Sequence, residues 1–119
     1  AYAEFAAIQE NHAALKPKNM SYEQAATLPV AALTALQALR DLGKIKAEQT
    51  VLVNGASGGV GIFAVQIAKV FGAEVTGVCS TKNLDLVKSL GADQIIDYTQ
   101  QDFTQDTVQY DIIFDVVAN

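Results

Sequence analysis

The sequence predicts an α/β fold, a parallel sheet with helices on both faces, and three observations carry that reading. Val51, Leu52 and Val53 form a short apolar run with no polar face, the pattern of a strand buried on both sides of a parallel sheet. Glycines follow at once and open an amphipathic helix, in which Val60, Phe63, Ala64, Ile67, Ala68 and Phe71 recur at helical spacing while Gln66 and Lys69 fall off the stripe. Gly72 ends this helix and is expected to take the left-handed C-cap conformation. The unit then repeats: a helix from Lys82 to Leu90, with Leu84, Val87 and Leu90 inward, ends Leu-Gly-Ala as the previous one ends Phe-Gly-Ala. Successive strand–helix units of a wound parallel sheet produce this repetition.

Between the first strand and its helix, Gly55, Gly58, Gly59 and Gly61 fall within seven residues. Aligning Ala56, Gly58 and Gly61 gives A-x-G-x-x-G, the dinucleotide fingerprint with alanine at its first position. Alone such a string is weak, because tight turns and close helix packing also demand glycine. Its place between a buried strand and an amphipathic helix that leads to a second strand is the context the fingerprint requires. Residues without side chains let the backbone approach a pyrophosphate, whose charge meets free N–H groups at the positive end of the helix. The fold is therefore of Rossmann type.

The third strand is QIIDY, residues 94 to 98, and the fourth YDIIFDVV, residues 110 to 117. Residues 99 to 109, polar apart from Phe103 and Val108, form a loop or one helical turn. The doubly wound rule gives the strand order 3-2-1-4, with the nucleotide over the carboxyl ends where the order reverses. The sheet is truncated after this fourth strand. Ile112, Ile113, Phe114, Val116 and Val117 then lie on both faces of an uncovered edge strand, a template for self-association.

Upstream, residues 1 to 9 read as a short strand carrying Tyr2, Phe5 and Ile8, although the alanines make it a poor one. His12 follows in a polar turn with no Ser, Cys or carboxylate constellation around it, so it reads as a loop histidine. Ser21 and Gln24 make a capping box, which starts a short helix that stops before Pro29. A second helix runs from about Val30 to Leu42, with Ala32, Ala35, Leu36, Leu39 and Leu42 on one face and Gly43 as its cap. Thr34, taken alone, reads as a packed or back-bonded helical threonine. No glycine- or proline-rich linker marks an internal boundary.

Composition narrows the function. The 119 residues, half of them apolar, suffice for one core. A net charge of −5 without Lys/Arg clusters argues against nucleic acid or an anionic membrane as partner. One cysteine and one histidine build no zinc site, and a lone cysteine fits a reduced, cytoplasmic setting. No run has the length of a membrane span, and no signal peptide stands at the start. A chain that starts at Ala1 and stops after an apolar strand is expected to be a fragment.

The end of the second strand chooses between nicotinamide cofactors. An NAD site usually places Asp or Glu there to hold the ribose hydroxyls; here the chain reads Cys79-Ser80-Thr81-Lys82. A small hydroxyl leaves room for a 2′-phosphate and Lys82 supplies positive charge, so NADPH is expected. The plainer alternative is that Ser80 caps the next helix and Lys82 is a solvated surface lysine. Cys79 reads as a buried, unreactive thiol.

The stretches LTALQAL, VLVNGASGGVGIFAVQIAK and FGAEVTGVCSTKNLDLVKSLGADQIIDY resemble the zinc-independent quinone oxidoreductase (zeta-crystallin-like) branch of the medium-chain dehydrogenase/reductase superfamily, over nearly the whole chain. The resemblance implies the cofactor-binding part of an NADPH-dependent reductase that passes hydride to a quinone or an α,β-unsaturated carbonyl. It assigns residues 1–30 to the last strand of a GroES-like substrate domain and its connection, and 31–119 to a partial dinucleotide-binding domain. By the same resemblance the turn of Ala56, Ser57, Gly58, Gly59, Val60 and Gly61 holds the pyrophosphate. Ser80, Lys82 and Tyr98 surround the 2′-phosphate, and Thr34 lies by the nicotinamide. Family members carry glycine where this chain has Ala118. The substrate pocket lies between two domains, so no catalytic residue is assigned, and the isolated chain is expected to be inactive. The alternative is a nucleotide-binding module without catalysis.

Overall fold

The structure, a computed structural model, describes residues 2–105 and 107–117; Ala118, where family members carry glycine, lies outside them. Residues 2–9 form no strand, and Tyr2, Phe5 and Ile8 are exposed. This corrects the expectation of a strand: an alanine-rich segment has low strand propensity. Helix α1 (Tyr22–Ala26) begins at the predicted capping box, with Ser21 Oγ accepting from Gln24 N–H and Gln24 Oε1 accepting from Ser21 N–H. Helix α2 spans Leu28–Leu36 and takes Pro29 into its first turn, where the missing N–H would have had no helical partner in any case.

The helix expected to run on to Leu42 instead widens into a π-helical segment over Gln37–Leu42. Gly43 N–H donates to Ala38 O, five residues back, at 2.8 Å, and the positive φ falls on Lys44, at 52°. Each i to i−5 bond inserts a residue into the turn. The stripe therefore loses register at its end: Ala35 and Leu39 are fully buried whereas Leu42 is 81% exposed.

Strands β1 (Thr50–Asn54), β2 (Glu74–Cys79), β3 (Gln94–Asp97) and β4 (Ile112–Asp115) make one parallel sheet in the order β3-β2-β1-β4. Between them lie α3 (Gly61–Val70) and α4 (Leu84–Ser89), the latter entered through a 3-10 turn at Thr81–Asn83. Register sets Val51 beside Val75 and Ile112, and Val53 beside Gly77 and Phe114, so these residues share one face. That face holds the core, packed by Ala35 and Leu39 before the sheet, Ala64, Val65 and Ala68 of α3, and Val87 of α4. Val65, outside the expected stripe, is fully buried, because α3 is covered by α2 as well as by the sheet. Gly72 and Gly91 end the two repeated units with φ of 80° and 104°, as left-handed caps do.

Since β3 and β4 lie at opposite edges, their connection crosses the second face of the sheet, where Leu52, Thr76 and Val78 are buried. Phe103–Gln105 is its one helical turn among the described residues. Beyond it Ile113 remains 64% exposed on the edge strand.

Lys69, expected to face water, instead reaches Asp93 at 2.8 Å and the carbonyl of Ala73 at 3.1 Å. Asp93 also accepts from Val75 N–H at 2.7 Å, so one carboxylate joins α3, β2 and the start of β3. The Lys69 hydrogen bond holds its carboxyl below the ordinary value. A carboxyl depressed on folding contributes stability above its unfolded pKa, about 3.9, and loses it as pH falls through the lower folded value. We expect Asp93→Asn, which removes the charge facing Lys69 and keeps an oxygen to accept from Val75 N–H, to cost up to about 1 kcal/mol at pH 7, a small loss because the pair is solvent-screened. Denaturant melts at pH 7 and pH 3 check this: the difference between wild type and variant should shrink at the lower pH.

Candidate functional site

The site is built where β1 gives way to α3. Gly55 makes the turn with φ of 83°, one residue before the first position of the fingerprint. Ala56 itself is fully buried and its N–H donates to Val78 O at 2.9 Å, which extends the β1–β2 ladder and leaves that amide no role toward a ligand. At Gly61 a Cβ would stand 2.0 Å from Gly55 O, whereas at Gly58 the nearest atom, the same oxygen, is 3.3 Å away and at Gly59 nothing lies within 4 Å. Gly61 thus lets the helix pack on the turn, and Gly58 and Gly59 keep its outer surface bare. Gly58 N–H closes the turn on Gly55 O at 2.9 Å. Among the hydrogen bonds of the described residues none is donated by the N–H groups of Ser57, Gly59, Val60 or Gly61. Four free amides at the start of a ten-residue helix form a concave, positively polarised cradle.

The cradle borders a cavity of about 640 Å³ at the carboxyl ends of β1 and β2. Ser57, Gly58, Ser80, Lys82 and Tyr98 all line it; the fold brings these expected site residues together. Ala56, Gly59, Val60 and Gly61 complete the turn behind its wall. Thr34 is not in the lining: it sits exposed on α2 with Oγ1 donating to Val30 O at 2.7 Å. Its proton is committed to the helix, so its hydroxyl offers only a lone pair.

Ser80 stands at the N-cap position but its side chain makes no capping bond. Lys82 is exposed and makes no ion pair with the described residues. The nearest carboxylate in sequence register, Asp97 at the end of β3, is turned to other work: it accepts from Thr81 Oγ1, from Thr99 N–H and from Thr99 Oγ1. Those bonds, that of Thr81 first, hold it below the ordinary carboxylate value. Cys79, 1% exposed, has its thiol raised by burial and, secondarily, by the charge of Asp97, the state of an inert thiol.

Two participants escaped the sequence reading. Gly55 did because the fingerprint alignment placed its first member one residue later. Asn83 did because its partners are distant in sequence: its Nδ2 donates to Ser57 Oγ at 3.0 Å and to Ser80 Oγ at 3.4 Å. Among the described residues no three His, Cys, Asp or Glu side chains are placed to hold a metal ion.

A parallel sheet in the order β3-β2-β1-β4, with a glycine cradle at its reversal point, defines a Rossmann-type nucleotide-binding fold. Residues 59–119 match the family model described as zinc-binding dehydrogenase, and the chain belongs to that family, within the medium-chain dehydrogenase/reductase superfamily. It is 45% identical over 118 residues to the 2-methylene-furan-3-one reductase of Solanum lycopersicum, covering 98% of this chain and 30% of that protein. The NADPH-dependent alkenal/one oxidoreductase, chloroplastic, of Arabidopsis thaliana is 44% identical, with 98% and 30% covered. Among solved structures, the quinone oxidoreductase from Coxiella burnetii superposes with a TM-score of 0.81 at 40% identity, over 87% of this chain and 33% of that one. The chain thus spans about 30% of the length of the curated relatives it matches.

The comparisons overturn the expectation of a cytoplasmic setting. Relatives are named as chloroplastic, as above, and as mitochondrial, in the NAD(P)H oxidoreductase RTN4IP1 of Mus musculus, 46% identical over 82% of this chain and 26% of that protein. A buried thiol without a disulfide partner suits any reducing compartment, so cysteine count had no power to choose among them.

Proposed function

We propose that this chain is the NADPH-binding portion of an oxidoreductase that reduces a quinone or an α,β-unsaturated carbonyl by hydride transfer. The observation that carries the proposal is the row of unpaired amides at Ser57, Gly59, Val60 and Gly61, on the turn whose Ser57 and Gly58 line the same cavity as Ser80, Lys82 and Tyr98. The amides would hold the pyrophosphate without side-chain chemistry. Ser80, Lys82 and Tyr98 would hold the 2′-phosphate, with Asp97 engaged by its threonines and so not directed at it. The cofactor, when bound, supplies the hydride; Thr34, by the family resemblance, would face its nicotinamide with a lone pair. The names of the alkenal/one reductase and quinone oxidoreductase relatives support the acceptor class. We assign residues 31–119 to the cofactor domain and 1–30 to the connection from a substrate domain, which would supply the catalytic residues. The zinc-independent branch is favoured by the donor set: Cys79, in the cavity wall, is 1% exposed with its thiol held protonated by burial, and His12 lies in a separate exposed segment.

Replacing Lys82 by Ala tests the cofactor choice. NADPH should bind more weakly by about 1 to 3 kcal/mol, the scale of a lost charge-assisted hydrogen bond, and NADH should be nearly unaffected. Calorimetric titration with both cofactors measures this, and equal losses would remove Lys82 from the 2′-phosphate site.

No helix of the described residues is long and apolar enough to cross a membrane, and neither nucleic acid nor membrane is proposed as partner. Self-association is proposed, through residues 111–117: Ile113 on the edge strand β4 is 64% exposed, and Val116 and Val117, which follow it at the cavity, are 37% and 44% exposed. Sedimentation should show the wild type larger than an Ile113→Lys variant; a folded, monodisperse wild-type monomer would dismiss the idea.

A further inference from the structure

We infer that Asn83 is a positioning residue that makes two serine hydroxyls donors toward the bound cofactor. The inference rests on the reading of the cavity as an NADPH site. Asn83 lies at the end of the 3-10 turn that follows β2, and its amide nitrogen reaches both Ser57 Oγ at 3.0 Å and Ser80 Oγ at 3.4 Å. These serines come from two different crossovers, 23 residues apart, and both line the cavity. An amide nitrogen can only donate. Each hydroxyl therefore accepts on its protein side, and its own proton points elsewhere.

Neither serine hydroxyl donates to any other group of the described residues. Two oriented, unpaired O–H donors remain at the cavity wall, one on the pyrophosphate turn and one beside Lys82. An anionic ligand needs donors at those places and has no use for acceptors. Asn83 thus couples the two halves of the site: through Ser57 it serves any dinucleotide, and through Ser80 it serves the 2′-phosphate alone.

The test is a double-mutant cycle read by calorimetric titration of NADPH and NADH. Asn83→Leu keeps the size and removes the donor; it should weaken NADPH about tenfold and NADH by a smaller factor, roughly threefold. Asn83→Asp turns the donor into an acceptor, so the hydroxyl protons turn to it and NADPH should weaken more than in Asn83→Leu. In a Ser57→Ala, Ser80→Ala background, Asn83→Leu should change either affinity less than twofold, because nothing is left to orient. An equal loss in both backgrounds, or equal losses for NADPH and NADH, would overturn the positioning role and show a merely structural one. A wild-type chain that binds neither cofactor would overturn the underlying reading as well, and so is distinguishable from failure of the cycle alone. Thermal melts of each variant confirm that the fold persists.

Discussion

Gly61→Ala should unfold the chain or bring it close to that point, because its new methyl group would stand 2.0 Å from Gly55 O and 2.8 Å from Gly55 C. Both are backbone atoms of the turn that ends β1, and neither can rotate away. Relief requires α3 to retreat from the sheet, which opens the contacts of Ala64, Val65 and Ala68, all fully buried. Overpacking a core costs about 1–3 kcal/mol and occasionally more; a clash of backbone against a rigid turn belongs at the top of that range. For a single domain of this size the loss is a large part of total stability. Urea melts of wild type and variant measure it, and a midpoint unchanged within error would mean that the turn is not as close to the helix as described.

Gly58→Val should do the opposite: leave the fold and remove the ligand. Gly58 is exposed, lines the cavity and does not have a positive φ. Its Cβ would meet only Gly55 O at 3.3 Å, a contact relieved by a shift of a few tenths of an ångström. The valine methyls then occupy the surface that the pyrophosphate must approach. Loss of two or more charge-assisted hydrogen bonds, each worth about 1.5–3 kcal/mol, weakens NADPH at least 100-fold on the order-of-magnitude scale. The same change should reach NADH, since the pyrophosphate is common to both. Titration beside a thermal melt checks the pair of outcomes; a variant that binds as the wild type does would place the pyrophosphate somewhere else.

These two glycines show what was legible in the sequence. The order of strands, the caps at Gly72 and Gly91 and the capping box at Ser21 are set by local chemistry, and each is where the residues indicate. The π-helical segment at Gln37–Leu42 was not legible, because a run of helix formers does not say how tightly its last turn winds. Nor was the first strand at residues 2–9 real in this chain, since an alanine-rich apolar pattern is a weak strand former. Within the site, Ser57, Gly58, Ser80, Lys82 and Tyr98 converge as their motif positions imply. The turn glycine is Gly55, and Ala56 packs inside, because A-x-G-x-x-G records spacing and not φ. Asn83 meets Ser57 only through the β1–β2 pairing, so no short-range pattern could have found it.

The most direct measurement of the nucleotide reading is a map of backbone amide resonances while NADPH is titrated into the wild-type chain. The largest changes should fall on Ser57, Gly59, Val60 and Gly61, whose amides have no acceptor among the described residues, with a second group at Ser80 and Lys82. Changes confined to the opposite end of the sheet, at Thr50, Glu74 and Gln94 around the cavity of about 410 Å³ there, would contradict it.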